Sequence, residues 1–163
     1  MAAEAAGLEI PIDPCLSPQQ TAKIKADRVA NRAFQTGLHN GVTKAFPLAE
    51  YQADMSSPPY NQFWRNDKYK LTIGFMRYNS AEAAKLNILS VLPGVKSKTY
   101  EFGDEGYFWE DGRISFRRDK VTIFISVSPL KPVPPDAFEW RNPEAAQLAR
   151  RLAQIVLDQL AKE

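Results

Sequence analysis

Asp111-Gly112 constrains the fold of this chain more than any other pair of residues. A type I′ hairpin turn needs positive φ at both central positions, and Asp-Gly is one of the few pairs that tolerate it. The pair falls inside Tyr100–Ser128, YEFGDEGYFWEDGRISFRRDKVTIFISVS, which reads as two or three consecutive antiparallel strands. Beyond the turn, Val121, Ile123, Ile125 and Val127 alternate with Thr122, Phe124, Ser126 and Ser128. A period of two carried by β-branched residues marks a strand with one buried face. Arg117-Arg118-Asp119-Lys120 interrupts the apolar pattern and predicts a second, charged turn.

The rest of the chain supplies helices and further strands. Ser17-Pro18-Gln19-Gln20 combines a capping serine, a proline suited to the first helical position and a glutamine that completes a capping box. Ala22, Ala26, Val29, Ala30, Ala33 and Phe34 follow at helical spacing, predicting a helix over 18–36 with Gly37 as its stop. Residues 38–67 carry no clear period. Pro47 interrupts a short element, Ser56-Ser57-Pro58-Pro59 reads as a loop, and Tyr60, Phe63 and Trp64 read as rings anchoring it to the core. Tyr69, Leu71, Ile73 and Phe75 alternate with polar or small residues, giving a strand over Lys68–Tyr78. A helix starting at Asn79 has the stripe Ala81, Ala84, Ile88, Leu89 and Leu92, and Pro93-Gly94 ends it before a strand over Val95–Phe102. Pro129, Pro132, Pro134 and Pro135 form an extended connector, since proline cannot donate to a sheet. Asn142-Pro143-Glu144 then starts a last helix, about 143–161, with Ala145, Leu148, Leu152, Ile155, Val156 and Leu160 on one stripe. The order predicts an α+β fold: a largely antiparallel sheet flanked by helices, with the C-terminal helix packed on it. Its 163 residues suit a single domain, with 1–14 extended or frayed.

Several function classes are without support. A net charge of +2 is too small to argue for nucleic acid or an anionic membrane, and no apolar run approaches the roughly 20 residues of a spanning helix. The opening MAAEAAGLEIPIDP lacks the basic and apolar regions of a signal peptide. Cys15 and His39 are single and distant, which leaves no His/Cys zinc site and little basis for a Cys-His nucleophile; His39 reads as a surface or helix-cap residue in a turn. There is no GxGxxG, phosphate loop or GxSxG elbow, and no cofactor is expected.

Three constellations deserve weighing. Glu101, Asp104, Glu105, Glu110 and Asp111 cluster around the central strands, and paired carboxylates can do acid/base work or hold a cation. Placement at a hairpin tip and in a Gly103–Gly106 bend favours a structural role, with a hydrolase built on Asp104 and Glu105 as the alternative. Trp109, Phe116 and Phe124 with Arg113, Arg117 and Arg118 resemble a stacking sheet for single-stranded nucleic acid, but no RNA-recognition motif accompanies them. Trp109, Arg113, Arg117 and Arg118 are instead the candidate partner-binding residues. Lys23, Lys25, Arg28 and Arg32, with Arg117 and Arg118, could make a polyanion site; solvated helix faces are the simpler reading.

Asp13-Pro14-Cys15-Leu16 resembles the DPC start of a group of exported bacterial proteins of unknown function. Gly103-Asp104-Glu105-Gly106-Tyr107, the run Ile114–Val121 and the closing Ala-Leu helix are similar to that group's GDEA-like turn, basic-glycine turn and final helix. The chain has Gly106 where Ala is usual, Asp119 where Gly is usual, and no second Cys to pair with Cys15. The resemblance implies an exported or lipid-anchored protein with an α/β sandwich similar to that of PsbP-like proteins, and carries no catalytic residues. With the resemblance implying an extracytoplasmic setting, these readings point to a non-enzymatic binding or accessory domain that engages another protein or a cell-envelope component.

Overall fold

The computed structural model describes residues 10–47, 49–90, 97–109, 111–131 and 142–163, excluding the side chains of 89 and 90. Among these, three helices and seven strands form an α+β fold: α1 (Pro18–Ala45), β1 (Glu50–Asp54), β2 (Tyr60–Arg65), β3 (Tyr69–Arg77), α2 (Ala81–Ser90), β4 (Ser97–Thr99), β5 (Glu105–Trp109), β6 (Arg113–Arg118), β7 (Val121–Pro129) and α3 (Pro143–Leu160). The strands make one sheet in the order β1-β2-β3-β7-β6-β5-β4, and every neighbouring pair is antiparallel.

The period-two pattern sorts the side chains onto two faces. Register places Leu71 beside Val127, Ile73 beside Ile125 and Phe75 beside Ile123, with Ile114 and Phe116 continuing the same face. These residues are buried with Phe34, Leu38 and Val42 of α1 and with Leu152, Val156 and Leu160 of α3. The expected docking of the C-terminal helix on the sheet is present, and Ala145, Ala149 and Ala153 bring its backbone close. On the other face, α2 lies over β6 and β7, and Ile88 packs with Tyr107 and Trp109.

The first helix departs from expectation. It is capped by Ser17 and Gln20 as the sequence predicts, but it runs past Gly37 to Ala45. Gly37 and Gly41 serve the approach of α3: a Cβ at Gly37 would stand 2.1–2.5 Å from the side chain of Gln159, and one at Gly41 2.8 Å from Ile155 Cγ2. His39 is therefore mid-helix and half-buried, its ring 4.1 Å from that of Tyr51. Residues 60–65 form a strand instead of a loop, and Trp64 is fully buried while Tyr60 and Phe63 are half-buried.

The central hairpins stand where expected, with one change of turn. Trp109 pairs with Arg113, leaving three residues in the loop, and Gly112 (φ 101°) has positive φ whereas Asp111 does not. This suits a three-residue loop closed by a left-handed glycine, not a two-residue type I′ turn. The second turn is the expected charged one: Arg118 pairs with Val121 around Asp119 (φ 48°) and Lys120. The α2 cap is Ser80, whose Oγ accepts from the N–H of Ala83, and not Asn79. Pro129 is the last residue of β7, opposite Tyr69, so the sheet extends one residue into the predicted connector. The frayed start before Ile10, Glu110, residues 91–96 and Pro132–Arg141 lie outside the described residues.

Candidate functional site

A cleft of about 550 Å³ opens at the end of the sheet where β3 finishes and β7 begins. Its position follows from the register. Arg77 pairs with Val121, and the N–H of Tyr78 donates to the Lys120 carbonyl, so the end of β3 lies beside the β6–β7 turn. Lys23, Asp27 and Asn31 form one wall; their spacing of four residues puts them on one face of α1. Pro58 and Tyr60 form another, and Leu160 and Glu163 close the α3 side.

Arg77 is the most constrained charge in this cleft. It follows Tyr69, Leu71, Ile73 and Phe75 on the inward face of β3, so its stem leaves the core and its head emerges at the core's edge. Its Nε donates to Oδ1 of the buried Asn31 at 2.8 Å. The guanidinium lies 5.4 Å from the ring centroid of Phe34 and 6.0 Å from that of Phe75. Its Nη1 donates to Glu163 Oε2 at 3.0 Å and its Nη2 to Oε1, making a two-pronged carboxylate fork. Lys23 pairs with Asp27 at 2.8 Å. Arg118 and Lys120 are exposed on the rim, and neither their side chains nor the carboxylate of Asp119 has a hydrogen-bond or ion-pair partner among the described residues.

The four candidate partner-binding residues do not meet in one place. Trp109 is 3% exposed beneath α2, so its ring is no stacking platform for a ligand. Arg113 covers that ring with its guanidinium 5.1 Å from the centroid, and pairs with Asp111 at 2.8 Å. Arg117 lies on the same sheet face and pairs with Asp104 at 3.1 Å and Glu105 at 3.4 Å. Arg118 points to the opposite face and reaches the cleft.

The carboxylates Asp104 and Glu105 brace the charged turn. Asp104 Oδ2 accepts the N–H of Asp119 at 2.6 Å, while Arg117 also donates to the Asp119 carbonyl at 3.1 Å. Glu105 is 5% exposed and takes a second cation, Lys98, at 3.7 Å. Neither carboxylate lines the cleft. The proposed polyanion set is divided as well: Lys23 and Arg118 share the cleft, while Arg28 reaches back to the Ile10 carbonyl and Arg117 lies across the sheet.

A half-buried polar chain links α1 to the first strands. Gln35 Nε2 donates to Tyr51 Oη at 3.1 Å, and Tyr51 in turn donates to Oε1 of the buried Gln62 at 2.9 Å. Burial pushes the Tyr51 phenol up, and the Gln35 bond partly offsets it. Gln62 Nε2, Trp64 Nε1 and His39 Nδ1 have no hydrogen-bond partner here among the described residues.

Sequence reading missed Arg77, Asn31, Lys120 and Glu163 as site residues. One signal pointed to Arg77: a cation continuing an otherwise apolar alternation. Among the described residues no group of three or more His, Cys, Asp or Glu side chains is placed to hold a metal ion, and no helix is long and apolar enough to cross a membrane. Compared with known protein families, curated proteins and solved structures, the chain has no significant match.

Proposed function

We propose that this chain is a non-enzymatic binding or accessory domain that works outside the cytoplasm and engages another protein or a cell-envelope component through the cleft beside the β6–β7 turn. The observation that carries this reading is the distribution of charge around the cleft. Arg118 and Lys120 stand on an open rim without side-chain partners among the described residues, whereas Asp104 and Glu105 are tied to Arg117 away from it. A general acid or base must come within hydrogen-bond reach of a substrate atom. Glu105, buried under two cations, offers no such approach. A cleft of a few hundred Å³ is the usual size for a small ligand or a few side chains of a partner. The extracytoplasmic setting rests on the motif resemblance of Asp13–Leu16 and Gly103–Tyr107 to exported bacterial proteins.

Capture from the native host's extract tests the reading when wild type is compared with the Arg118→Glu/Lys120→Glu double variant. A partner retained by wild type and lost by the variant supports it. Equal retention by both, or turnover in a hydrolase screen that disappears on changing Asp104 or Glu105, overturns it.

A further inference from the structure

We propose that the cleft is a carboxylate-binding site, with Arg77 as its fork, Arg118 and Lys120 as its outer cations, and Glu163 as a built-in stand-in for the ligand. This inference rests on the cleft being the binding surface and names the chemistry that it takes.

The Arg77 head is held from three sides before any ligand is considered. Asn31 Oδ1 fixes Nε, and the rings of Phe34 and Phe75 flank the guanidinium. That arrangement presents the Nη1 and Nη2 edge outward, and this edge matches the two oxygens of a carboxylate. Glu163 occupies it in just that manner, from beyond the last turn of α3. The Glu163 side chain remains one-third exposed, so it is seated at an open mouth and not sealed into the core. An ion pair of this exposure is weakly held, so an external carboxylate displaces it once the ligand gains a second contact that offsets the tethering of Glu163 to the same chain.

The external ligand has an advantage that Glu163 lacks. Arg118 and Lys120 line the same cleft and have no partner among the described residues, with Asp119 as the one unpaired carboxylate between them. A ligand carrying two or more carboxylates can place one on the Arg77 fork and another against the Arg118–Lys120 rim. Glu163 is then released to water. Two sources share this chemistry, an acidic peptide segment and a free di- or tricarboxylate.

Calorimetric titration of the whole chain with citrate, with an end-blocked Glu-Asp-Glu tripeptide and with inorganic phosphate tests the assignment. Citrate or the tripeptide binds, phosphate more weakly, and whichever carboxylate binds identifies the source. Glu163→Gln tightens that binding severalfold by emptying the fork, while Arg118→Ala/Lys120→Ala weakens it about tenfold or more. Both sets of changes lie at exposed positions, and an unchanged thermal midpoint confirms that the variants fold. Phosphate binding as tightly as the carboxylates overturns the assignment, as does no carboxylate binding by either wild type or Glu163→Gln. If carboxylates fail while the Arg118→Glu/Lys120→Glu variant still loses its native partner, the ligand class falls and the binding reading stands.

Discussion

At Gly112 one residue answers two demands. Its φ of 101° lies in a region that β-branched side chains avoid, and a Cβ would stand 2.7 Å from the Val127 carbonyl oxygen and 2.8 Å from Ala145 Cβ. The glycine thus closes the β5–β6 hairpin and admits the first turn of α3. Its own carbonyl accepts from the N–H of Val127 at 2.9 Å, tying the turn to β7. Gly112→Val combines backbone strain with a steric clash and should destabilise the fold by more than about 1 kcal/mol. The denaturation midpoint measures this, and an unchanged midpoint would contradict the hairpin as described. The need for glycine here was legible from the Asp-Gly pair. The contact with Ala145 was not, because it joins residues that no local pattern connects.

Among the elements, those with a strong period were legible and those with conflicting signals were not. The alternation in β3 and β7 and the stripe of α3 each specify a buried face. In α1 the glycines at 37 and 41 carry the ordinary sign of a helix end, but tertiary packing overrides it. The gain from bringing α1 against α3 outweighs the roughly 1 kcal/mol that a helical glycine costs. β1 was hidden because its five residues alternate between exposed and half-buried at the sheet edge and carry little apolar signal. The rings of 60–65 looked like a loop anchor because two prolines precede them. For α3 the structure sharpens the expectation. Leu152 is fully buried, whereas Arg151, although exposed, holds its guanidinium 5.2 Å from the Phe46 ring centroid and is not idle. Gln147, exposed on the same helix, is the better control. Leu152→Ala should cost about 2–5 kcal/mol and Gln147→Ala well under 1, read from chemical denaturation. Equal midpoints would mean that α3 is no part of the core.

On the scale of the whole molecule, the candidate site is an assembly of distant segments. Asn31 of α1, Arg77 of β3, Lys120 of the β6–β7 turn and Glu163 beyond α3 meet because β3 and β7 pair in the middle of the sheet and α1 and α3 share one face. Apart from Arg77, which continues an apolar alternation, each contributing residue looks ordinary in its own stretch, which is why the local patterns favour the Trp109 side. That side is closed by α2 and by ion pairs, and the open charged surface lies across the sheet. The central claim is that the cleft face engages the partner. Site-specific photocrosslinking in the native host tests it most directly, with the photoreactive residue placed at Lys120 on the cleft rim or at Lys70 on the opposite sheet face. The account predicts a discrete adduct from position 120 that disappears when Arg118→Glu is added, and none from position 70. An adduct from position 70 with none from position 120 would contradict it.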